Sequence, residues 1–175
     1  DTVYIPAGTY LCKKAINVPV GIRIKGDGAT KTKLVVSATM KDTSIFLITV
    51  GPTEITGIAF EDVSEKKKIQ AGFIDYYGDM TVSESANLYI HDCRFTQGTR
   101  SNMRSKYAAL RVRAAACTVV ENNYFECTTV MFTSSAQKVI VRNNEICGVF
   151  YCGKYYDQNT FLIWDTEMFD ASHNK

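Results

Sequence analysis

At 175 residues the chain is of single-domain length and can bury one sizeable core. Its 20 Lys and Arg against 18 Asp and Glu leave a net charge of +2, which excludes a dedicated nucleic-acid binder because phosphate tracking needs clustered positive charge. No apolar run approaches the roughly 20 residues that cross a bilayer, so no membrane insertion is expected.

The chain opens directly in Val3-Tyr4-Ile5-Pro6 with no basic-then-apolar leader, as expected of a mature product or a segment of a longer chain. Val3 to Leu11 reads as strand, Ala7-Gly8 turn, strand. Ile16-Asn17-Val18 follows, then an alternating run from Val20 that ends in Gly26-Asp27-Gly28. Lys33 to Val36, Ile45 to Val50, Thr53 to Phe60 and Ala86 to Phe95 continue the series, and nothing has a helical period.

Two later stretches repeat each other. Thr118-Val119-Val120-Glu121-Asn122-Asn123-Tyr124-Phe125 recurs as Val139-Ile140-Val141-Arg142-Asn143-Asn144-Glu145-Ile146. Three earlier segments align beneath them without gaps. Ile24, Ile55, Ile90, Val120 and Val141 form one apolar column, and Gly26, Gly57, Asp92, Asn122 and Asn143 form another at the strand end. Gly, Asn and Asp most readily adopt left-handed backbone, so the same tight bend is implied five times. Phe60, Phe95, Phe125 and Ile146 make a third column, with Ala29 a weak first member. Parallel strands joined by tight bends, with like residues stacked coil on coil, describe an all-β solenoid, a single parallel β-helix over residues 1–175. An antiparallel sandwich offers no reason for five superimposable strand ends.

The six cysteines form no C-x-x-C pair and no metal-like grouping with the two histidines. They read as buried free thiols, and neither a metal nor a cofactor is expected.

Three sets of outward residues can carry chemistry. The first is His91, Glu121 and Arg142 on successive coils with Tyr89 nearby, readable as a saccharide face or, more plainly, as a ladder of complementary charges. The second is Glu61, Thr96 and Glu126. Its two carboxyls stand two coils, roughly 9 to 10 Å, apart, near the separation that admits a water in inverting glycosidases. The third is Asp75-Tyr76-Tyr77 with Arg111 and Arg113, aligned so that Ile74 meets Val112 and Phe132 and Asp75 falls beside Arg113. Arginine forks bind carboxylates and tyrosine faces receive sugar rings, so an acidic glycan fits, as does a structural ion pair. Tyr155, Tyr156, Asp157 and Trp164-Asp165 form a later aromatic and acidic cluster. Insertions at 61–70, 76–85, 96–107 and 153–159 read as surface loops, where such groups tend to sit.

Val3-Tyr4-Ile5-Pro6-Ala7-Gly8-Thr9-Tyr10, Ile24-Lys25-Gly26-Asp27-Gly28 and the strand-Asn-Asn coils resemble the right-handed parallel β-helix of the pectate-lyase-like superfamily, and within it the version found in bacteriophage tailspikes. That resemblance implies polysaccharide as the partner, a homotrimer, and a virion tail or extracellular location. Activity is not implied, since lyases, hydrolases, epimerases and adhesive proteins share the fold. The chain has no Gly-His-Gly, Asn-Thr-Asp or Asp-Asp element like those of polygalacturonases and no Arg-x-Pro-x-x-Arg like that of pectate lyases. Three functions remain to be weighed: a spike domain that binds and in some cases cleaves a surface polysaccharide, with catalytic candidates Glu61, Glu126 and Asp75 and binding candidates Tyr76, Tyr77, His91, Arg111, Arg113 and Trp164; a secreted lyase or hydrolase; and a purely structural β-helix.

Overall fold

The computed structural model describes residues 1–42, 44–48, 51–62, 72–78, 87–97, 109–126, 130–134, 137–147, 161–164 and 168–175. Within them the chain winds through three faces in turn. The first coil comprises β1 (Thr2–Ile5), β2 (Gly8–Cys12) and β3 (Ile16–Val18), and the second β4 (Arg23–Gly26), β5 (Thr32–Val36) and β6 (Phe46–Ile48). The third comprises β7 (Thr53–Thr56), β8 (Ala59–Asp62) and β9 (Ile74–Tyr77), and the fourth β10 (Asn87–His91), β11 (Arg94–Gln97) and β12 (Leu110–Arg113). β13 (Cys117–Glu121), β14 (Tyr124–Glu126) and β15 (Met131–Ser134) make the fifth, β16 (Lys138–Arg142), β17 (Glu145–Ile146) and β18 (Phe161–Trp164) the sixth, and β19 (Met168–Asp170) opens a seventh.

The first strand of every coil joins sheet A, in the order β1-β4-β7-β10-β13-β16-β19. The second strands form sheet B and the third strands sheet C, and the pairings between neighbouring coils are parallel among the described residues. This is the all-β parallel β-helix expected from the repeat. The register on sheet A is the expected one, with Ile24 beside Ile55, Ile55 beside Ile90, Ile90 beside Val120 and Val120 beside Val141. Two further coils escaped the sequence alignment. Val3 sits beside Ile24, and Met168 to Asp170 pair with Lys138 to Ile140, so sheet A has seven strands rather than five.

The bend between sheets A and B is left-handed at Gly57 (φ 69°), Asp92 (53°), Asn122 (55°) and Asn143 (54°), and again at His173 (55°). Gly26 is the exception. The second coil takes its left-handed residue at Gly28 (φ 117°), while Gly26 is needed for closeness: a Cβ there would stand 2.3 Å from the carbonyl oxygen of Gly57. This displaced bend also explains the weakness of Ala29, because the apolar column resumes at Leu34, which pairs with Phe60.

Inside, Phe60, Phe95 and Phe125 stack face to face at 5.0 and 4.7 Å with interplanar angles of 3° and 6°. Each ring buries one large apolar area, and the stacking adds about 0.5 to 1.5 kcal/mol per pair. Beside them runs a ladder of side-chain amides. Asn123 donates to the carbonyl of Ile90 (3.0 Å) and accepts from the amide of Cys93 (2.9 Å). Asn144 donates to the carbonyl of Val120 (3.0 Å), and its Oδ1 accepts from the side-chain (3.1 Å) and backbone (2.9 Å) amides of Asn123. Asn174 repeats the pattern, donating to Val141 and accepting from Asn144.

Cys12 and Cys93 are buried free thiols, as expected. Cys117 is half-buried and Cys147 exposed, which departs from that expectation because both lie outside the inward column. Cys127 and Cys152 lie outside the described residues.

Thr53 and Thr118 point inward on sheet A, and their hydroxyls are buried with no hydrogen-bond partner among the described residues. An unpartnered buried hydroxyl costs about 1 to 3 kcal/mol. Thr118→Val keeps the shape and removes that cost, so it is expected to raise stability by about 1 kcal/mol. Denaturant or thermal unfolding of the variant tests this, and a lowered midpoint would show that the hydroxyl has a partner.

Candidate functional site

Unequal connections decide where the surface of a regular solenoid becomes irregular. The long ones, 63–73 and 98–109, lead into β9 and β12 of sheet C, and 78–86 leads out of β9. Sheet C is therefore the sheet that adjoins these long connections.

On that face Ile74 and Tyr76 point in, and Asp75 and Tyr77 take the outward alternation. Arg111 grips Asp75 with both arms of its guanidinium: Nε donates to Oδ1 at 2.5 Å and Nη2 donates to Oδ2. The carboxylate is 1% exposed and the guanidinium side chain 16%. A pair this dry holds because a two-bond fork meets the carboxylate, and loss of either partner would strand a buried charge. One residue row further, the guanidinium of Arg113 lies 4.8 Å over the ring of Tyr77. Register carries this second row on through Ser134 to Trp164.

This pairing corrects the expected register, by two residues on β12 and by one on β15. Ile74 meets Leu110 and Met131 rather than Val112 and Phe132, so Asp75 lies beside Arg111 and Tyr77 beside Arg113. On β12 a shift of two preserves which side chains face inward, so the apolar pattern alone fits both alignments there, whereas on β15 a shift of one brings Phe132 into register with Arg111. The Asp75–Arg111 ion pair and the Tyr77–Arg113 stack belong to the register observed. Tyr76 is also corrected. Its ring is fully buried, with the hydroxyl donating to the carbonyl of Gly51 at 3.4 Å, so it presents no face to a ligand.

Sheet B carries the second set. Thr96 pairs with Glu61 on one side and Glu126 on the other, which places the two carboxylates two coils apart as expected. Lys33 holds Glu61 at 2.9 Å, while Arg94 approaches Glu126 at 3.9 Å and lies 4.3 Å over the Tyr124 ring. Glu61 and Glu126 thus occupy a different face from Asp75, and the three carboxylates do not converge on one point.

Sheet A carries His91 in a polar network that crosses five coils. Arg23 bonds Glu54 (2.7 Å from Nε), Glu54 meets Nε2 of His91 (3.1 Å), and Nδ1 of His91 lies 2.7 Å from Asp92 and 3.3 Å from Thr56. The His91 ring stacks on Tyr89 at 4.3 Å. The Tyr89 hydroxyl donates to Glu121, which also accepts from Nε of Arg142 at 2.7 Å. The Glu121 bond pushes the Tyr89 hydroxyl up to about 12. Tyr89 and Arg142 in turn hold the Glu121 carboxyl below its ordinary value. Burial alone would raise Glu54, but its bonds to His91 and Arg23 outweigh that and lower it. Arg23 and Glu54 were missed from the sequence, although the alignment already in hand, read one column earlier, puts them side by side with Tyr89.

Among the described residues, no cluster of three or more His, Cys, Asp or Glu side chains is arranged to hold a metal ion. Tyr155, Tyr156, Asp157 and Asp165 lie outside the described residues.

A family model described as rhamnogalacturonase A/epimerase, pectate lyase-like, matches residues 1–143. That span holds every site residue discussed above except Trp164 and the undescribed Tyr155, Tyr156, Asp157 and Asp165. Among the curated proteins and the solved structures, none matches the chain.

The sheet A network makes stability depend on pH. Glu54 and Glu121 titrate in the folded chain below their ordinary value of 4.5, so their contribution is full above that pH and is lost as pH falls through the lowered values. Melting temperature is expected to drop on acidification below about 4.5, and Glu121→Gln is expected to melt lower at neutral pH with a shallower acid slope. Parallel slopes for the two proteins would show that Glu121 contributes nothing to the pH dependence.

Proposed function

The chain belongs to this rhamnogalacturonase A/epimerase, pectate lyase-like family, and from that premise we propose that it is a tailspike-type domain that binds a cell-surface polysaccharide across the outer face of sheet C. The observation that carries the reading is the pair of adjacent rows on β9 and β12, Asp75–Arg111 and Tyr77–Arg113. The inner row is a dry, doubly bonded ion pair that stiffens the face. The outer row offers a guanidinium fork on an aromatic ring, which suits a uronate or another acidic sugar: the fork takes the carboxylate, and the aromatic surface takes the apolar face of a ring. The Trp164 position extends the same row by two coils.

The reading includes assembly as a homotrimer and a location in a virion tail or outside the cell.

A second reading, cleavage of the bound chain, rests on Glu61 and Glu126 flanking Thr96 at two-coil separation. In that mechanism one carboxyl protonates the leaving oxygen and the other activates a water, as in inverting glycosidases.

Incubation with bacterial capsules, O-antigens and plant uronans, followed by binding measurement and product sizing, tests both readings. Arg113→Ala is expected to weaken binding of an acidic polysaccharide by about tenfold, the loss of one charge-assisted contact, and to leave the fold intact. Glu126→Gln is expected to abolish any chain shortening without loss of binding. Absence of binding across the panel leaves the purely structural role standing, and a monomeric mass in solution removes the trimeric spike.

A further inference from the structure

A groove of about 710 Å³ runs along the edge where sheet A bends into sheet B, and none of its lining residues belongs to sheet C. We infer that this groove is a second saccharide site, which takes a neutral, hydroxyl-rich oligosaccharide lying parallel to the coil axis.

Its size is that of a small-molecule site, within roughly 300 to 1,000 Å³. Ala29 and Thr30 on the second coil stand at one end, and His173 and Lys175 on the seventh stand at the other. The third coil lies between them and contributes no side chain at its bend, because Gly57 occupies it. At about 4.8 Å per coil the groove spans six rungs and roughly 24 Å. A linear pyranose chain advances by a similar distance per sugar, so successive residues can meet equivalent groups on successive coils.

Those groups are suited to hydroxyls. Asn122 and Asn143 are exposed on the groove, and their side-chain amides hold no hydrogen bond among the described residues. Each offers two donors and an acceptor, the complement of a vicinal diol. Their backbone is left-handed, a conformation that glycine adopts without strain and that the second and third coils do build from Gly28 and Gly57. Asp92, Asn122, Asn143 and His173 therefore put polar side chains into the groove at bends where glycine would serve the fold. Arg94 and Tyr124, stacked at 4.3 Å, form one wall. The charged lining is balanced, with Asp92 and Glu145 against Arg94 and Lys175, so the groove has no net field to select an ion. That balance separates it from the arginine-rich face of sheet C and points to an uncharged sugar chain.

Isotope-labelled chain titrated with neutral gluco-, xylo- and galacto-hexasaccharides and followed by NMR tests the inference. Saturable shifts are expected at the backbone amides of residues 92–94, 122–124 and 143–145. The double variant Asn122→Gly, Asn143→Gly keeps the left-handed bends and is expected to retain its melting temperature while binding about tenfold more weakly. Arg113→Ala is expected to leave this binding unchanged, so failure of the sheet C reading and failure of this one are distinguishable. Undiminished binding by the glycine variant, shifts confined to sheet C, or no saturable shift with any of the sugars would each overturn it.

Discussion

The structure depends on satisfying the backbone at the bend between sheets A and B. At every left-handed corner the chain turns peptide groups into the coil interior, where water does not reach and each donor and acceptor needs a partner. In the early coils neighbouring backbones meet that need directly: Gly28 donates to the carbonyl of Gly57 at 3.0 Å, and Arg94 to that of Ile58 at 3.0 Å. Side chains join in as well, Thr32 at the second corner and asparagines from the fifth coil onward. Asn123, Asn144 and Asn174 each reach one coil back, donating to a strand carbonyl and accepting from a corner amide. This reciprocal bonding leaves a single register in which all groups are served. Once it holds, Phe60, Phe95 and Phe125 fall on one another, and every outward residue has a defined neighbour above and below.

The same corner explains how much of the fold can be read from the residues. Glycine, aspartate and asparagine at strand ends, followed three positions on by phenylalanine, are strong local signals, and they recover sheet A from Ile24 to Val141 and the Phe column of sheet B. The outermost coils are harder. His173 occupies a left-handed corner usually marked by Asn or Gly, and Val3 opens a coil whose bend is not of that type. Sheet C lies beyond the unequal connections, so its register drifts from that anchor, and a two-residue shift leaves the pattern of inward residues intact. The pairing of Asp75 with Arg111 was accordingly out of reach, while the grouping of Asp75 and Tyr77 with Arg111 and Arg113 was not, and the place of Trp164 in the same row was missed. Tyr76 was misplaced by the opposite effect, since a tyrosine beside another tyrosine on a strand must turn inward when its neighbour faces out.

Stacking at about 4.8 Å also constrains what a solenoid surface can do. Like charges in one column repel, so a column that carries charge must alternate in sign or be diluted by neutral groups. Sheet A follows this rule through Arg23, Glu54, His91, Glu121 and Arg142, and the outcome is a network in which each carboxylate is already bonded. Sheet B follows it with Lys33 against Glu61 and Arg94 near Glu126. Groups engaged in this way stabilise the wall and have little left for a ligand.

Capacity for recognition therefore lies where the periodic rule is relaxed. On sheet C, where connections of unequal length enter and leave the strands, a second arginine lies on a tyrosine ring beside the buried Asp75–Arg111 pair. At the corner the rule is relaxed by the left-handed backbone, which directs uncharged amides outward at positions that take no part in the inner ladder. The two places differ in chemistry, one cationic and aromatic, the other polar and electrically balanced. A chain of this family that uses both would read two sugars of different charge, or two segments of one heteropolysaccharide, along the same axis. On these proposals the parallel β-helix suits the task because equivalent groups repeat with the coils, and contacts that are individually weak would add rung by rung.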